Sequence, residues 1–206
     1  MMKRRLMAAL LAVCLLLTMA ACGSKTSGKL RSDGIVQVEL DEDATYYADI
    51  EIKNYGTITV QLDQSAAPVT VENFVSLAMS GYYEGLTFHR IIAGFMMQGG
   101  APTSIETMTN SIVGEFSENG YENPILHKRG VISMARSQDY NSANSQFFIM
   151  HVDYPSLDGK YAAFGQVIEG IEVVDAICLS ARPINYNGGI APEAQPVIKK
   201  ITIREE

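Results

Sequence analysis

An arginine and two glutamines stand on strand-like segments that are otherwise apolar. Arg90 and Gln98 lie in FHRIIAGFMMQGG, residues 88–100, and Gln146 lies in SQFFI, residues 145–149. A guanidinium and two carboxamides donate and accept several hydrogen bonds without themselves forming covalent bonds. If the faces that carry them meet beside apolar side chains, these groups would form a polar clamp next to a hydrophobic hole.

The two-residue period of a β-strand sorts these side chains onto two faces. The face predicted to carry the clamp holds Phe88, Arg90, Ile92, Met96, Gln98, Gln146 and Phe148. The opposite face holds His89, Ile91, Met97, Phe147 and Ile149. Phe95 leads into the second strand from Gly94, so the predicted hole is bordered by Phe95, Met96 and Phe148.

A plainer interpretation is available for each segment taken alone. Strands rich in Phe, Met and Ile that end in Gly-Gly are typical of the core of a barrel or sandwich, and Arg90 is then an edge charge or part of a structural ion pair. The combination of the segments favours a site instead.

Two further motifs follow in order, SMARS at residues 133–137 and LDGKYAAFGQV at residues 157–167. With these motifs and their spacing, the chain resembles the cyclophilin family of peptidyl-prolyl cis-trans isomerases over residues 47–203. The resemblance implies an enzyme that accelerates rotation about X-Pro bonds. It also implies a mainly β fold, a closed eight-stranded antiparallel β-barrel with two α-helices.

The resemblance further implies which residues do the work. Its catalytic positions fall on Arg90, Gln98 and Phe148. Its substrate-binding positions fall on Phe95, Met96, Ala135, Arg136, Gln146, Leu157 and Tyr161, with the backbone of Ala135 and Arg136 lining the groove for the peptide. No cofactor and no metal is implied.

Three positions depart from the best-known eukaryotic members. Ser156 stands where those members carry a tryptophan, Tyr161 where they carry a histidine, and Arg136 where many carry an asparagine. The first two changes resemble bacterial members. Isomerase activity is still expected, whereas sensitivity to cyclosporin is not implied.

Other catalytic chemistries find no support in the chain. The three histidines, His89, His127 and His151, are scattered and show no metal-binding spacing, so structural roles are predicted for them. No Gly-x-Ser-x-Gly elbow, phosphate-binding glycine loop or Cys-x-x-Cys pair occurs.

The amino terminus has the three parts of a secretory signal over residues 1–21: a basic start, an apolar run and small residues. Its apolar run is too short for a comfortable membrane span. Small residues before Cys22, followed by Gly-Ser, resemble a bacterial lipoprotein cleavage site, so Cys22 is predicted to be lipidated. The alternative is an ordinary cleaved signal with Cys22 incidental. Cys178 is predicted to be a small core residue, and no disulfide is expected.

Charge agrees with a role directed at proteins. The whole chain carries a net charge of −7, and removal of residues 1–21 leaves 13 basic and 23 acidic residues, a net charge of −10. An acidic domain is a poor candidate for nucleic acid or anionic lipid surfaces. The predicted partners are therefore proline-containing polypeptides and, through the lipid on Cys22, the membrane.

The pattern of apolar residues predicts one domain over residues 46–206, preceded at 22–45 by the lipidated cysteine, a flexible tether over 23–29 and a lead-in strand. Strands are predicted at 35–40, 47–53, 57–62, 87–92, 96–98, 131–134, 146–150, 163–167 and 197–203. Helices are predicted at 68–80 and 171–178, and long loops, interpreted as surface connections, at 101–125 and 182–196.

These features lead to one expectation and two alternatives. The expectation is an extracytoplasmic, lipid-anchored, monomeric prolyl isomerase that assists the folding of exported proteins. The first alternative is a proline-segment binding or chaperone module with little turnover, against which the intact Arg90 argues. The second is a solute-binding lipoprotein, for which the length and the two-lobed α/β pattern are lacking.

Overall fold

The computed structural model describes residues 28–206. The predicted signal segment, Cys22 and most of the predicted tether lie outside the described residues. Within residues 28–206, no helix combines the length and the apolar character needed to cross a bilayer.

The described residues contain ten strands and two α-helices, numbered here in chain order. The strands are β1 Lys29–Leu30, β2 Val36–Gln37, β3 Tyr46–Ile52, β4 Gly56–Leu62, β5 Phe88–Ile92, β6 Met96–Gly99, β7 Val131–Met134, β8 Phe147–Met150, β9 Ala163–Glu169 and β10 Ile198–Glu205. The helices are α1 Pro68–Met79 and α2 Ile171–Ser180. Short 3₁₀ helices occur at Ile105–Thr107, Ser117–Asn119, Pro155–Leu157 and Pro192–Ala194.

Eight strands form one sheet in the order β10-β3-β4-β9-β7-β8-β6-β5, with antiparallel neighbours throughout. The sheet curls around its core, but its end strands form no continuous ladder. They meet at an isolated bridge between Thr87 and Val197, beside hydrogen bonds from Phe88 N to Pro196 O and from Ile198 N to Leu86 O. The structure therefore supports an open, curled half-barrel, and the predicted full closure is not confirmed.

Helix α1 closes one side of this core. It buries an apolar stripe made of Val71, Phe74, Val75 and Ala78. Pro68 occupies the first turn, where a missing backbone N–H costs nothing. Ala67 provides no side-chain cap, and a carboxylate from elsewhere in the chain takes that role.

That carboxylate belongs to Glu115, which is buried in the long loop between β6 and β7. It accepts hydrogen bonds from Val69 N at 3.0 Å, from Thr70 N at 2.8 Å and from Thr70 Oγ1 at 2.7 Å. A carboxylate at the amino terminus of a helix accepts hydrogen bonds from unpaired backbone N–H groups. Its negative charge also interacts favourably with the positive end of the helix dipole. The loop predicted as a surface connection therefore caps α1.

Helix α2 is two residues longer than predicted, and it buries Val173, Val174, Ile177 and Cys178. The prediction that Cys178 is a small core residue is confirmed. Burial raises the pKa of its thiol to about 12, so the group is a neutral, unreactive thiol at ordinary pH.

The lead-in segment differs from the prediction. Of the predicted strand at 35–40, only β2 is regular, and it pairs with β1, which contains Lys29 from the predicted tether. Ile35 and Val38 are buried in the main core, and Val38 N donates to Ser76 Oγ on α1 at 3.0 Å. This segment is thus a docked part of the domain.

Candidate active site

A cavity of about 110 Å³ opens where β5, β6, β8 and the segments after β7 and β8 converge. It collects all but one of the site residues predicted within the described chain. Its lining consists of Arg90, Phe95, Met96, Gln98, Ala135, Arg136, Phe148, Leu157 and Tyr161. Gln146, the remaining one, contacts this set through Gln98.

The polar side of the cavity is a chain of hydrogen bonds. Arg90 Nη1 donates to Gln98 Oε1 at 3.1 Å, and Gln98 Nε2 donates to Gln146 Oε1 at 3.0 Å. Register explains the contacts, because Arg90 lies opposite Gln98 across β5 and β6, and Gln98 lies opposite Phe148 across β6 and β8. The guanidinium keeps Nη2 free of hydrogen bonds to the described residues.

One predicted facing was wrong. Phe88 lies fully buried in the main core against Phe147, with ring centroids 5.8 Å apart, and does not share the face of Arg90. A β-bulge between Phe88 and Arg90 places one extra residue on β5 opposite β6. One extra residue reverses the alternation of side chains, so Phe88 and Ile91 face the core while Arg90 faces the cavity.

The facing predictions for the apolar residues of β6 and β8 are confirmed. Met97, Phe147 and Ile149 belong to the main core, whereas Met96 and Phe148 belong to a second, smaller apolar cluster. Phe95, Leu157 and Tyr161 pack against that smaller cluster from its partly exposed side. The ring of Phe148 meets that of Tyr161 edge to face at 5.7 Å. The cavity thus has apolar walls opposite its hydrogen-bonding side.

The side chain of Arg136, and not only its backbone, shapes the groove. Its guanidinium carbon lies 5.0 Å from the ring centre of Phe116, 4.8 Å from Tyr140 and 4.7 Å from Tyr161. It also donates to Lys160 O at 3.0 and 2.7 Å and to Ser137 O at 2.9 Å. The planar cation therefore braces one wall, whereas the sequence had singled out only its main chain.

The loop over residues 182–196 contributes a site contact that the sequence did not suggest. Asn187 O accepts a hydrogen bond from Arg90 Nε at 2.7 Å. The adjoining Gly188 O accepts from Ile91 N at 2.8 Å, and Ile190 N donates to His89 O at 2.9 Å. The loop was interpreted as a surface connection, yet it extends the edge of β5 and orients the guanidinium.

His127 lies behind the cavity wall, fully buried and stacked on Phe148 with ring centroids 6.0 Å apart. Its Nδ1 lies 3.1 Å from Asp158 Oδ1, and its Nε2 lies 3.1 Å from Ser133 Oγ. Burial lowers the pKa of His127, and the hydrogen bond with Asp158 opposes that shift. The ring is neutral at ordinary pH, consistent with the structural role predicted for it.

Comparison with known proteins decides the family. The model of the cyclophilin type peptidyl-prolyl cis-trans isomerase family matches residues 47–203. The chain belongs to the cyclophilin family. A peptidyl-prolyl cis-trans isomerase of Helicobacter pylori is 43% identical to this cyclophilin over 150 residues, 70% of this chain and 90% of the relative.

Other relatives agree. Human peptidyl-prolyl cis-trans isomerase-like 3 is 44% identical over 149 residues, 72% of this chain and 90% of the human protein. The crystal structure of a Cryptosporidium parvum cyclophilin in the presence of the dipeptide Ala-Pro superposes with a TM-score of 0.66 at 30% identity, covering 78% of this chain and 99% of that one. This cyclophilin is accordingly a peptidyl-prolyl cis-trans isomerase.

Proposed function

We propose that this cyclophilin isomerises X-Pro bonds in exported polypeptides, in the cavity that Arg90 borders, by stabilising the twisted amide without covalent chemistry. The observation that carries this proposal is a guanidinium fixed on two sides, by Gln98 Oε1 and Asn187 O, at the rim of an apolar cavity. The crystal structure of the Cryptosporidium relative in the presence of an Ala-Pro dipeptide supports a proline-containing substrate.

The barrier to be lowered comes from amide resonance. An X-Pro bond prefers trans only slightly, but rotation costs about 18–20 kcal/mol because the planar amide loses its partial double bond. At the twisted transition state the prolyl nitrogen recovers a lone pair that accepts a hydrogen bond. In this proposal Arg90 donates to that lone pair, which the planar ground state does not offer, so the interaction stabilises the transition state selectively.

Hydrogen bonds of ordinary strength are sufficient to lower this rotation barrier appreciably. A charge-assisted hydrogen bond contributes about 1.5–3 kcal/mol, and two or three formed mainly in the transition state would lower the barrier by about 5–6 kcal/mol. That reduction corresponds to roughly ten-thousandfold in rate. Gln98 holds the guanidinium, Gln146 holds Gln98, and in this proposal both glutamines also contact the substrate backbone.

The apolar residues supply the second part of the mechanism. Phe95, Met96, Phe148 and Leu157 hold the proline ring, while Ala135, Arg136 and Tyr161 border the path of the peptide. A twisted amide is less polar than a planar one, and an apolar cavity favours it relative to water. The same walls exclude solvent that would compete for the donor on Arg90.

The proposed location follows from the amino-terminal sequence. A signal segment over residues 1–21 and lipidation of Cys22 would leave residues 23–27 between the lipid and the described domain. Because extended chain spans at most about 3.6 Å per residue, five residues would keep the domain within about 20 Å of the bilayer. A domain held this close to the bilayer would meet polypeptides as they emerge from the membrane, and in this proposal it acts as a monomer.

The test compares the mature protein with its Arg90→Ala and Arg90→Lys variants in a cis-to-trans assay on a proline peptide. Arg90→Ala should lower kcat/KM by about 100- to 1,000-fold, the usual cost of one preorganised transition-state donor. Lysine lacks the planar, forked donors of the guanidinium, so Arg90→Lys should restore little of the lost activity. Arg204→Ala, which removes an arginine on β10 that pairs with Asp49 on β3, is the matched control.

Each outcome has a distinct meaning. No acceleration by the unmutated protein would favour the binding-module alternative. Full activity in Arg90→Ala would reject this mechanism and leave the isomerase activity standing.

A further inference from the structure

The turn between β5 and β6, which carries Phe95 into the cavity, is anchored by a histidine from the far end of β8. Gly94 N donates to His151 Nδ1 at 2.9 Å. His151 N in turn donates to Phe95 O at 2.9 Å. The ring and the main chain of one residue therefore hold two successive residues of the turn.

The first of these contacts determines the protonation of the ring. A backbone N–H donates and never accepts, so His151 Nδ1 must present a lone pair to Gly94. The proton of a neutral imidazole then lies on Nε2. That nitrogen is 3.2 Å from Asp175 Oδ1 on α2, and His151 is only 8% exposed. The carboxylate thus selects the tautomer that accepts the Gly94 N–H.

Asp175 is itself held from a second direction. Arg129 donates to its two carboxylate oxygens at 2.6 and 2.7 Å and to His151 O at 2.8 Å. The hydrogen bond from Arg129 is the main cause of the lowered pKa of Asp175. The carboxylate therefore remains an anionic acceptor facing His151.

The anchored turn matters because Phe95 contacts other groups of the site. Its ring centre lies 4.5 Å from that of Tyr154 and 5.9 Å from the guanidinium carbon of Arg90. Gly94 adopts a positive φ of 78°, a conformation open mainly to glycine. A glycine turn without its anchor gains conformational freedom, and Phe95 then loses its fixed place on the cavity wall.

We propose that His151 and Asp175 form a positioning pair for this isomerase: His151 fixes the Gly94–Phe95 turn, and Asp175 holds His151 in the tautomer that does so. The inference rests on the proposed role of the cavity. His151 touches no substrate and acts through Phe95. Arg90 keeps its own bonds to Gln98 and Asn187, so loss of the pair should weaken substrate binding more than the chemical step.

Three substitutions at His151 separate the two ring nitrogens. Asparagine places a carbonyl oxygen near the position of Nδ1, glutamine places its amide near the position of Nε2, and alanine removes both. In the mature protein in detergent micelles, His151→Ala and His151→Gln should raise KM about tenfold with little change in kcat, whereas His151→Asn should restore KM. Misplacement of a substrate or a site group by about 1 Å can lower the rate on the order of 100-fold, so a tenfold change in KM is a moderate expectation.

A purely structural role would give a different pattern. Partial unfolding lowers the active fraction, and hence apparent kcat, in proportion to the loss of stability measured by chemical denaturation. A KM for His151→Asn as high as that for His151→Gln, or unchanged KM in all three variants, would overturn the proposal.

Nitrogen-15 spectra of the ring test the tautomer independently of activity. The unmutated protein should show an unprotonated Nδ1 and a protonated Nε2, and Asp175→Ala should reduce this preference and raise KM. Asp49→Ala, which removes a carboxylate paired with Arg204 and outside the cavity lining, is the matched control and should change neither the spectrum nor KM. A proton on Nδ1 in the unmutated protein would overturn the proposal. Absence of isomerase activity would instead refute the proposed function, and the spectrum would still decide the anchor.

Discussion

At the scale of single residues, the site depends on groups that hold Arg90 more than on groups that react. The guanidinium is oriented by two hydrogen bonds that it donates, one to Gln98 on a neighbouring strand and one to Asn187 in a distant loop. Both contacts leave Nη2 free of hydrogen bonds to the described residues. A fixed donor need not reorganise when the amide twists, which is the physical basis of electrostatic preorganisation.

We expect Gln98→Leu to lower kcat/KM about tenfold. Leucine keeps the approximate volume but removes the acceptor for Arg90 and the donor to Gln146. A loss of about 1.4 kcal/mol, close to the lower end for one charge-assisted hydrogen bond, corresponds to tenfold in rate. The measurement is the cis-to-trans assay together with a denaturation curve. Gln166→Leu, at an exposed glutamine on β9 that bonds Arg129 O, is the control. Equal losses in both variants would contradict the role of Gln98.

At the scale of elements, two loops that were predicted as surface connections make specific contacts, one with helix α1 and the other with the site. The loop over 101–125 brings Glu115 to the start of α1, and the loop over 182–196 brings Asn187 to Arg90. In each case a polar group of the loop satisfies a donor on a regular element. Such contacts span 45 to 97 positions of sequence, so no local pattern signals them.

Glu115→Ala should destabilise the protein by about 2–4 kcal/mol, because two backbone N–H groups at the start of α1 and the buried hydroxyl of Thr70 lose a charged acceptor. Glu115→Gln keeps one carbonyl oxygen and should cost less. Chemical denaturation measures both. Glu118→Ala, at an exposed carboxylate of the same loop that accepts from Tyr140, should cost under about 1 kcal/mol. A similar loss at Glu118 would refute the capping role.

Gly188→Ala should lower kcat/KM at least tenfold. An added Cβ would lie 2.4 Å from Ile92 Cγ1 and 3.0 Å from Ile91 O, and the φ of 84° is strained for alanine. Relief of that clash moves the loop and draws Asn187 O away from Arg90. Gly34→Ala is matched to it, with a φ of 81° and nothing near the added carbon. Gly34→Ala should leave the rate unchanged, and a full rate in Gly188→Ala would contradict the orienting role of the loop.

At the scale of the whole molecule, the described part extends beyond the family match. The match begins at residue 47, whereas Ile35 and Val38 are already buried in the common core. The lead-in segment therefore stabilises the same domain and shortens the stretch available as a tether. In the proposed lipoprotein, the domain and its anchor are closely spaced.

Mass spectrometry of the mature protein should find residue 22 as the first residue and a lipid on its thiol. Cys22→Ser should release the protein from the membrane fraction while leaving isomerase activity unchanged, since the cavity lies within residues 90–161. Cys178→Ser, at the buried core cysteine, is the control and should stay with the membrane. An unmodified Cys22 in the mature protein would exclude the anchor.

The amino-acid sequence alone determined most of the regular structure. Strand and helix positions were predicted to within a few residues, because the periods of burial are local properties of the chain. The same periodicity predicted the facing of Met96, Met97, Phe147 and Phe148. The motifs and their spacing indicated the family, and with it the set of residues that meet at the cavity.

The tertiary structure determined the features that the periodicity of apolar residues cannot predict. A single bulged residue turned Phe88 into the core, because register is a property of two paired strands and not of one. The carbonyl of Asn187, the carboxylate of Glu115 and the ring of His151 found their partners only when distant segments packed together. Such hydrogen bonds form where folding brings a donor and an acceptor together, so their partners are selected by geometry in three dimensions and not by distance along the chain.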